Sequence, residues 1–228
     1  MNGLLLESAA LDVFGQMALD EALAASRPEG FTLRIYRWKG VGATFGYAQR
    51  FLDVQKALPA AIGTAHARRP TGGGVVAHLD DLTFSCVFPA EGERRPAEIY
   101  RRLHAALLAG LRGAGLEAHL CVHGGSAAPQ GPGGAAQCFV EPVAQDILAA
   151  GRKILGGAIR RGGETVLYQG SLQLPGARGR ADLERAVTGA LAEALGLRWR
   201  RKEVPAAVRA AARVLESKHR SEDWIRRR

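Results

Sequence analysis

Long apolar runs are missing from this 228-residue chain. No stretch of about 18 or more apolar residues occurs, so the sequence offers no membrane-crossing helix. A basic leader is missing too: Met1-Asn2-Gly3-Leu4-Leu5-Leu6-Glu7 meets an acid after one short apolar run, which argues against a secretory signal and for a cytoplasmic protein. Cysteine is scarce. Cys86, Cys121 and Cys138 are unevenly spaced, and an odd count without a CxxC pair suits neither a disulfide framework nor a zinc site. No metal is expected, and at least one thiol is left unpaired. The formal charge of +9 admits nucleic acid, an anionic surface or an acidic protein as partner. Its basic clusters (Arg198, Arg200, Arg201, Lys202; Arg226, Arg227, Arg228) lack the interleaved aromatics of a single-strand binding surface, and no nucleic-acid motif accompanies them.

What is present is ordinary globular material, 47% hydrophobic and 23% charged, at a length for which one compact domain over residues 1–228 is expected. Leu11, Phe14, Met17, Ala18, Leu19 and Leu23 recur at helical spacing over 10–26. Helices are also expected over 53–58, 98–113, 182–195 and 206–215. Alternation and β-branched content predict strands over 31–38, 44–47, 83–88, 117–122 and 166–174. Residues 146–158 read as two strands joined at a tight glycine turn. Strands and helices do not alternate strictly, so the fold class is α+β, a mixed or antiparallel sheet with helices packed on it. Residues 124–134, rich in glycine and proline, read as a mobile loop.

The chain's most informative stretch is Arg68-Arg69-Pro70-Thr71-Gly72-Gly73-Gly74-Val75-Val76-Ala77-His78. Three glycines in a row expose the backbone to close approach, as in a site or in a plain turn. The run lacks the lysine and hydroxyl that complete a phosphate-binding P-loop. Arg68 and Arg69 either bind an anionic group or are solvated, and His78 is a hydrogen-bonding or structural group. Cys138 follows the loop and precedes Phe139, the placement of an accessible thiol; the alternative is a small apolar residue at a strand start. Cys86 and Cys121 lie in apolar runs and read as core. Lys153 stands in Gly151-Arg152-Lys153-Ile154-Leu155-Gly156-Gly157, among glycines that let a ligand lie against the backbone; on local pattern it is either functional or a solvated surface lysine.

Arg69-Pro70-Thr71-Gly72-Gly73-Gly74 with His78 and Leu82-Thr83-Phe84-Ser85 resembles the signature of the lipoate-protein ligase and octanoyltransferase superfamily. Further blocks agree in order: 17–23, 33–38, 46–49, Gly151 to Ala158 with Gln169-Gly170-Ser171, and 217–224. Cys138-Phe139-Val140-Glu141-Pro142, then Asp146-Ile147 and Gly151-Arg152-Lys153, is most similar to the cysteine-dependent octanoyltransferases of the lipoate-ligase-like branch. Val143 departs from the serine common after the proline, and Gln169 from a histidine.

The resemblance implies a mixed-sheet fold flanked by helices, shared with biotin protein ligases. It implies an acyl-carrying Cys138 assisted by Lys153, and an acyl pocket built from Arg69, Thr71, Gly72, Gly73, Gly74, His78, Gly156, Gly157, Ala158 and Gly170. Backbone N–H groups near Gly73, Gly74 and Gly157 are expected to face the oxyanion. The implied donor is octanoyl-acyl carrier protein, and the implied acceptor is a lysine of a lipoyl domain such as the glycine cleavage H protein. No cofactor and a monomeric state are expected. Rival readings are an amidotransferase between lipoyl domains, an ATP- and magnesium-dependent lipoate ligase, and a non-catalytic acyl-domain binder. Bacterial ligases usually carry an accessory C-terminal domain, for which a chain ending at Arg228 has no room.

Overall fold

In the computed structural model, residues 1–90, 95–122 and 142–227 are described. They build two sheets. The larger has eight strands in the order β11-β1-β2-β6-β10-β9-β8-β7: Arg198–Glu203, Asn2–Glu7, Thr32–Ile35, Leu82–Pro89, Thr165–Leu172, Arg152–Gly162, Ile147–Ala149 and Ala118–Leu120. Its β11-β1-β2 end is parallel and the remainder antiparallel. The smaller sheet runs β4-β3-β5: His66–Arg68, Gly42–Phe45 and Val76–His78. This is the expected α+β class.

Helices α3 (Pro96–Gly113) and α4 (Ala181–Leu195) cover one face of the large sheet, through Ile99, Leu103, Leu107, Leu183, Val187 and Leu191 against Leu33, Phe84, Cys86 and Tyr168. Helices α1 (Val13–Ala25) and α5 (Ala206–Arg220) bury the other, with Leu19, Leu23 and Val208 against Leu6, Val87 and Leu167. Local chemistry sets the ends. The Asp12 carboxylate accepts the Gly15 N–H at 2.9 Å to cap α1, Glu98 accepts the Arg95 N–H at 3.2 Å at the start of α3, and Gly196, at φ +62°, ends α4. The short α2 (Phe51–Ala57) and α6 (Glu222–Ile225) pack on the small sheet.

Strand periodicity decides what faces what. Along β6 and β10, Phe84, Cys86, Val166 and Tyr168 join the α3 side. Thr83, Ser85, Gln169 and Ser171 therefore project to the opposite face, over α1 and the small sheet. The β8–β9 hairpin turns at Ala150 and Gly151, with φ +48° and +73°, the left-handed pair that a two-residue turn needs. Just past it, Ile147 pairs with Leu155 but Leu148 with Lys153, so β9 carries one extra residue. That bulge matters: alternation alone would set Lys153 and Gly156 on opposite faces, and the extra residue returns them to the same one.

Several elements differ from the sequence reading, the unforeseen α6 among them. β1 and β11 pair with each other, whereas the first was read only as an N-terminus and the second only as a basic cluster. Helix α5 also continues through Arg220, beyond the expected end at Leu215. Arg68 is not solvated. It is fully buried, and its guanidinium donates to the carbonyls of Tyr47 (2.9 Å), Gln49 (2.8 Å) and Ile225 (2.7 Å), while the Trp224 indole N–H returns a bond to the Arg68 carbonyl at 3.0 Å. The C-terminal segment is thereby fastened beside the glycine run.

Candidate active site

A narrow cavity lies between β9–β10 of the large sheet and the small sheet, closed by α1. Arg69, Val76 and His78 line one side, Gly156, Gly157, Ala158 and Gly170 the other, and Met17 and Gln169 contribute from α1 and β10. Gly157 and Gly170 offer only backbone to it. A Cβ on Gly157 would sit 2.4 Å from the Tyr168 hydroxyl, and one on Gly170 2.7 Å from Phe84 Cζ, so buried rings on the α3 side already fill the space where side chains would be. Gly156 is required for another reason. Its Cβ would lie 2.3 Å from Lys153 Cε and 2.6 Å from Nζ, because the lysine folds back across it.

Lys153 is buried, which removes the solvated-surface alternative, and it pairs with the fully buried Asp146 at 2.8 Å. An ammonium out of water is tolerated only when paired and hydrogen-bonded. Asp146 is itself fixed by the Tyr100 hydroxyl (2.6 Å) and the Val143 N–H (2.7 Å). The Gly157 N–H, one of the expected oxyanion donors, is donated to the Tyr100 oxygen at 3.1 Å. Tyr100 stacks on His104, with centroids 3.8 Å apart. His104 lies 2.8 Å from the Gln145 carbonyl through Nδ1 and 2.8 Å from the Tyr168 hydroxyl through Nε2, so the ring is the neutral Nδ1–H tautomer, donating to the one and accepting from the other. Burial, assisted by the Lys153 charge, pushes His104 down to about 3.

A second buried network supports the far wall. Gln169 donates to Asp20 (2.7 Å) and accepts from the Thr71 hydroxyl (2.7 Å); Asp20 also takes Arg34, Tyr36 and, at 2.8 Å, Ser85. The Gln169 departure thus has a chemical reading: an amide donates with one end and accepts with the other, as a neutral imidazole does. Burial, then the Asp20 charge, raises the Tyr36 phenol well above its usual value. His78 bridges Thr44 (2.9 Å at Nε2) and Asp81 (2.8 Å at Nδ1), with Trp38 stacked 4.5 Å away. Burial alone would raise Asp81, but His78 and the hydroxyls of Thr83 and Ser171 hold its carboxyl below the usual range.

Arg69 donates to the Gly72 carbonyl at 3.0 Å and to Thr44 at 3.3 Å. Thr71 stands one step behind the cavity, on Gln169. The glycine run packs on Gly46, where a Cβ would meet the Gly73 carbonyl at 2.0 Å, and Gly73 holds φ +88°. Cys138 and the loop over 124–134 lie outside the described residues. Cys86 and Cys121 are both buried, and burial followed by Asp20 raises the Cys86 thiol far above its usual value.

Sequence reasoning did not single out Tyr100, His104, Asp20, Asp81 or Met17. Tyr100 and His104 did carry a signal: two polar aromatics four apart beside an apolar helical stripe share one face.

Residues 12–217 match the model of the lipoyl protein ligase A/B catalytic domain. The chain belongs to that family. It is 34% identical over 181 residues to octanoyltransferase LipM of Moorella thermoacetica, a match covering 75% of this chain and 64% of the relative, so the chain spans somewhat less than two thirds of that relative's length. The structure of a lipoate-protein ligase A bound with ATP superposes with TM-score 0.78 at 25% identity, covering 99% of each chain. A Thermoplasma acidophilum protein with bound lipoic acid superposes with TM-score 0.82 at 22% identity over the whole of both chains, a likeness of fold.

Proposed function

We propose that this chain is an octanoyltransferase that moves an octanoyl group from acyl carrier protein to a lysine of a lipoyl-accepting domain, such as the glycine cleavage H protein, through an acyl-enzyme on Cys138. The observation that carries the reading is the buried Lys153–Asp146 pair folded over Gly156 at a glycine-lined cavity. The burial of Cys86 and Cys121 is consistent with Cys138 as the nucleophile of this reading. Kinship with a protein named octanoyltransferase supports the same reaction.

The Cys138 thiolate attacks the thioester carbonyl, the carrier's sulfur leaves, and an acyl-enzyme thioester forms. The carrier thiol departs with the proton given up by Cys138; the acceptor amine then attacks the acyl-enzyme carbonyl, the Cys138–acyl bond breaks, and the amine's proton passes to the Cys138 sulfur, restoring the thiol. A thioester becomes an amide, so neither ATP nor another cofactor enters the balance. Lys153 supplies the cation that favours thiolate over thiol and orients the acyl oxygen, and Asp146, Tyr100 and His104 hold it in place. The +9 charge steers acidic carrier and acceptor proteins toward the chain.

An ATP-dependent ligase is the second reading, favoured by the ATP-bound relative. One comparison separates them: octanoyl-carrier protein with acceptor domain and no ATP, against free octanoate with ATP. Acceptor modification in the first alone is expected; modification in the second alone replaces transferase by ligase. Octanoyl-acceptor domain offered as donor tests the amidotransferase, and modification under none of these conditions leaves a non-catalytic binder.

A further inference from the structure

The cavity measures about 30 Å³, room for about two or three waters. An eight-carbon chain needs several times that, so a lining side chain has to give way. Most are tied. Tyr36 donates to Asp20 beneath the Arg34 guanidinium, 4.0 Å from its ring. Gln169 is held from both ends and His78 at both nitrogens. Arg69 is anchored on the Gly72 carbonyl, and Val76 is β-branched, with one stiff torsion.

Met17 differs. It is buried at 1% exposure, yet among the described residues its only polar contact is a long 3.6 Å approach of the Gln169 amide to its sulfur. An unbranched thioether has three rotatable bonds and repacks at low cost. We propose that Met17 is the movable end-stop of this cavity, swinging aside to admit the acyl tail and setting the longest chain the protein takes. The role rests on the acyl-transfer reading only in identifying the ligand as an acyl chain.

Met17→Ala removes the three heavy atoms beyond Cβ and lengthens the tunnel by about as many methylenes. Discrimination in an apolar pocket runs to tenfold or more per methylene. The test is calorimetric binding of free alkanoic acids of six to twelve carbons, run beside transfer from the matching acyl-carrier proteins. In Met17→Ala the optimum is expected to move up by two or three carbons, with the ten-carbon chain gaining at least tenfold on the eight-carbon one. Met17→Val, a smaller truncation, shifts it less, and Met17→Leu, of similar volume, leaves it in place. Near-ultraviolet circular dichroism selects the variants that fold. An unmoved profile in folded Met17→Ala and Met17→Val overturns the proposal, as does failure of every alkanoic acid to bind wild type. A shifted binding profile without carrier-to-lysine transfer keeps the end-stop and removes the transferase; transfer with an unshifted profile does the reverse.

Discussion

Replacing Gly156 by alanine displaces Lys153 without removing any group from it. The new Cβ would lie 2.3 Å from Lys153 Cε and 2.6 Å from Nζ, against about 3.5 Å for ordinary contact, so the end of the lysine has to retreat by roughly 1 Å. The obstacle is the tip of a flexible side chain, and the fold yields there at modest cost. Asp146 keeps its Tyr100 and Val143 donors, which limits the damage to a weakened buried pair, about 1–3 kcal/mol. Misplacing a catalytic group by about 1 Å costs on the order of 100-fold in rate. Gly157→Ala makes the opposite case. Its Cβ meets the ring of Tyr168, fully buried and bonded to His104, and overpacking against a ring that cannot move costs about 3 kcal/mol or more. Urea unfolding and single-turnover octanoyl transfer, measured on both variants, separate the two. Gly156→Ala should fold and transfer slowly, and Gly157→Ala should lose stability first. A Gly156→Ala enzyme at the wild-type rate would refute this account of Lys153.

Gln169→Leu leaves the buried Thr71 hydroxyl without its acceptor and removes one of several donors from Asp20, and should cost about 1–3 kcal/mol in urea unfolding, whereas Gln169→His, able to donate and accept at once, should stay within about 1 kcal/mol of wild type. His104 gives a pH signature. Its folded pKa, pushed to about 3 from the ordinary 6.5, means that the unfolded chain binds a proton the native state refuses. Stability is therefore complete above about pH 6.5 and falls as pH drops toward 3, by up to about 1.4 kcal/mol per unit. Denaturant titrations across that window should show a shallower slope in His104→Gln, and an unchanged slope would show that His104 is not the group responsible.

Helices α1 to α5 and the β8–β9 hairpin were legible because their signals are local: apolar residues three and four apart, and a glycine at a two-residue turn. The β1–β11 pairing was not. Arg198-Trp199-Arg200-Arg201-Lys202-Glu203 has almost no apolar face, and it becomes an edge strand through backbone pairing with residues nearly 200 positions away. The lysine's glycine-flanked position marked it as unusual, but only the bulge at Ile154 shows why Gly156 must be glycine. Arg68 misled for a related reason. Composition treats arginine as a surface cation, and nothing local indicates that C-terminal carbonyls return to bury it.

Central to all of this is an acyl group carried by Cys138, and intact-mass measurement after brief exposure to octanoyl-carrier protein, without ATP and without acceptor, tests it most directly. The expected result is one octanoyl adduct on wild type, discharged by added lipoyl domain and missing from Cys138→Ala. An adduct that persists in Cys138→Ala, or wild-type protein that transfers octanoate while Cys138 stays unmodified, would contradict it.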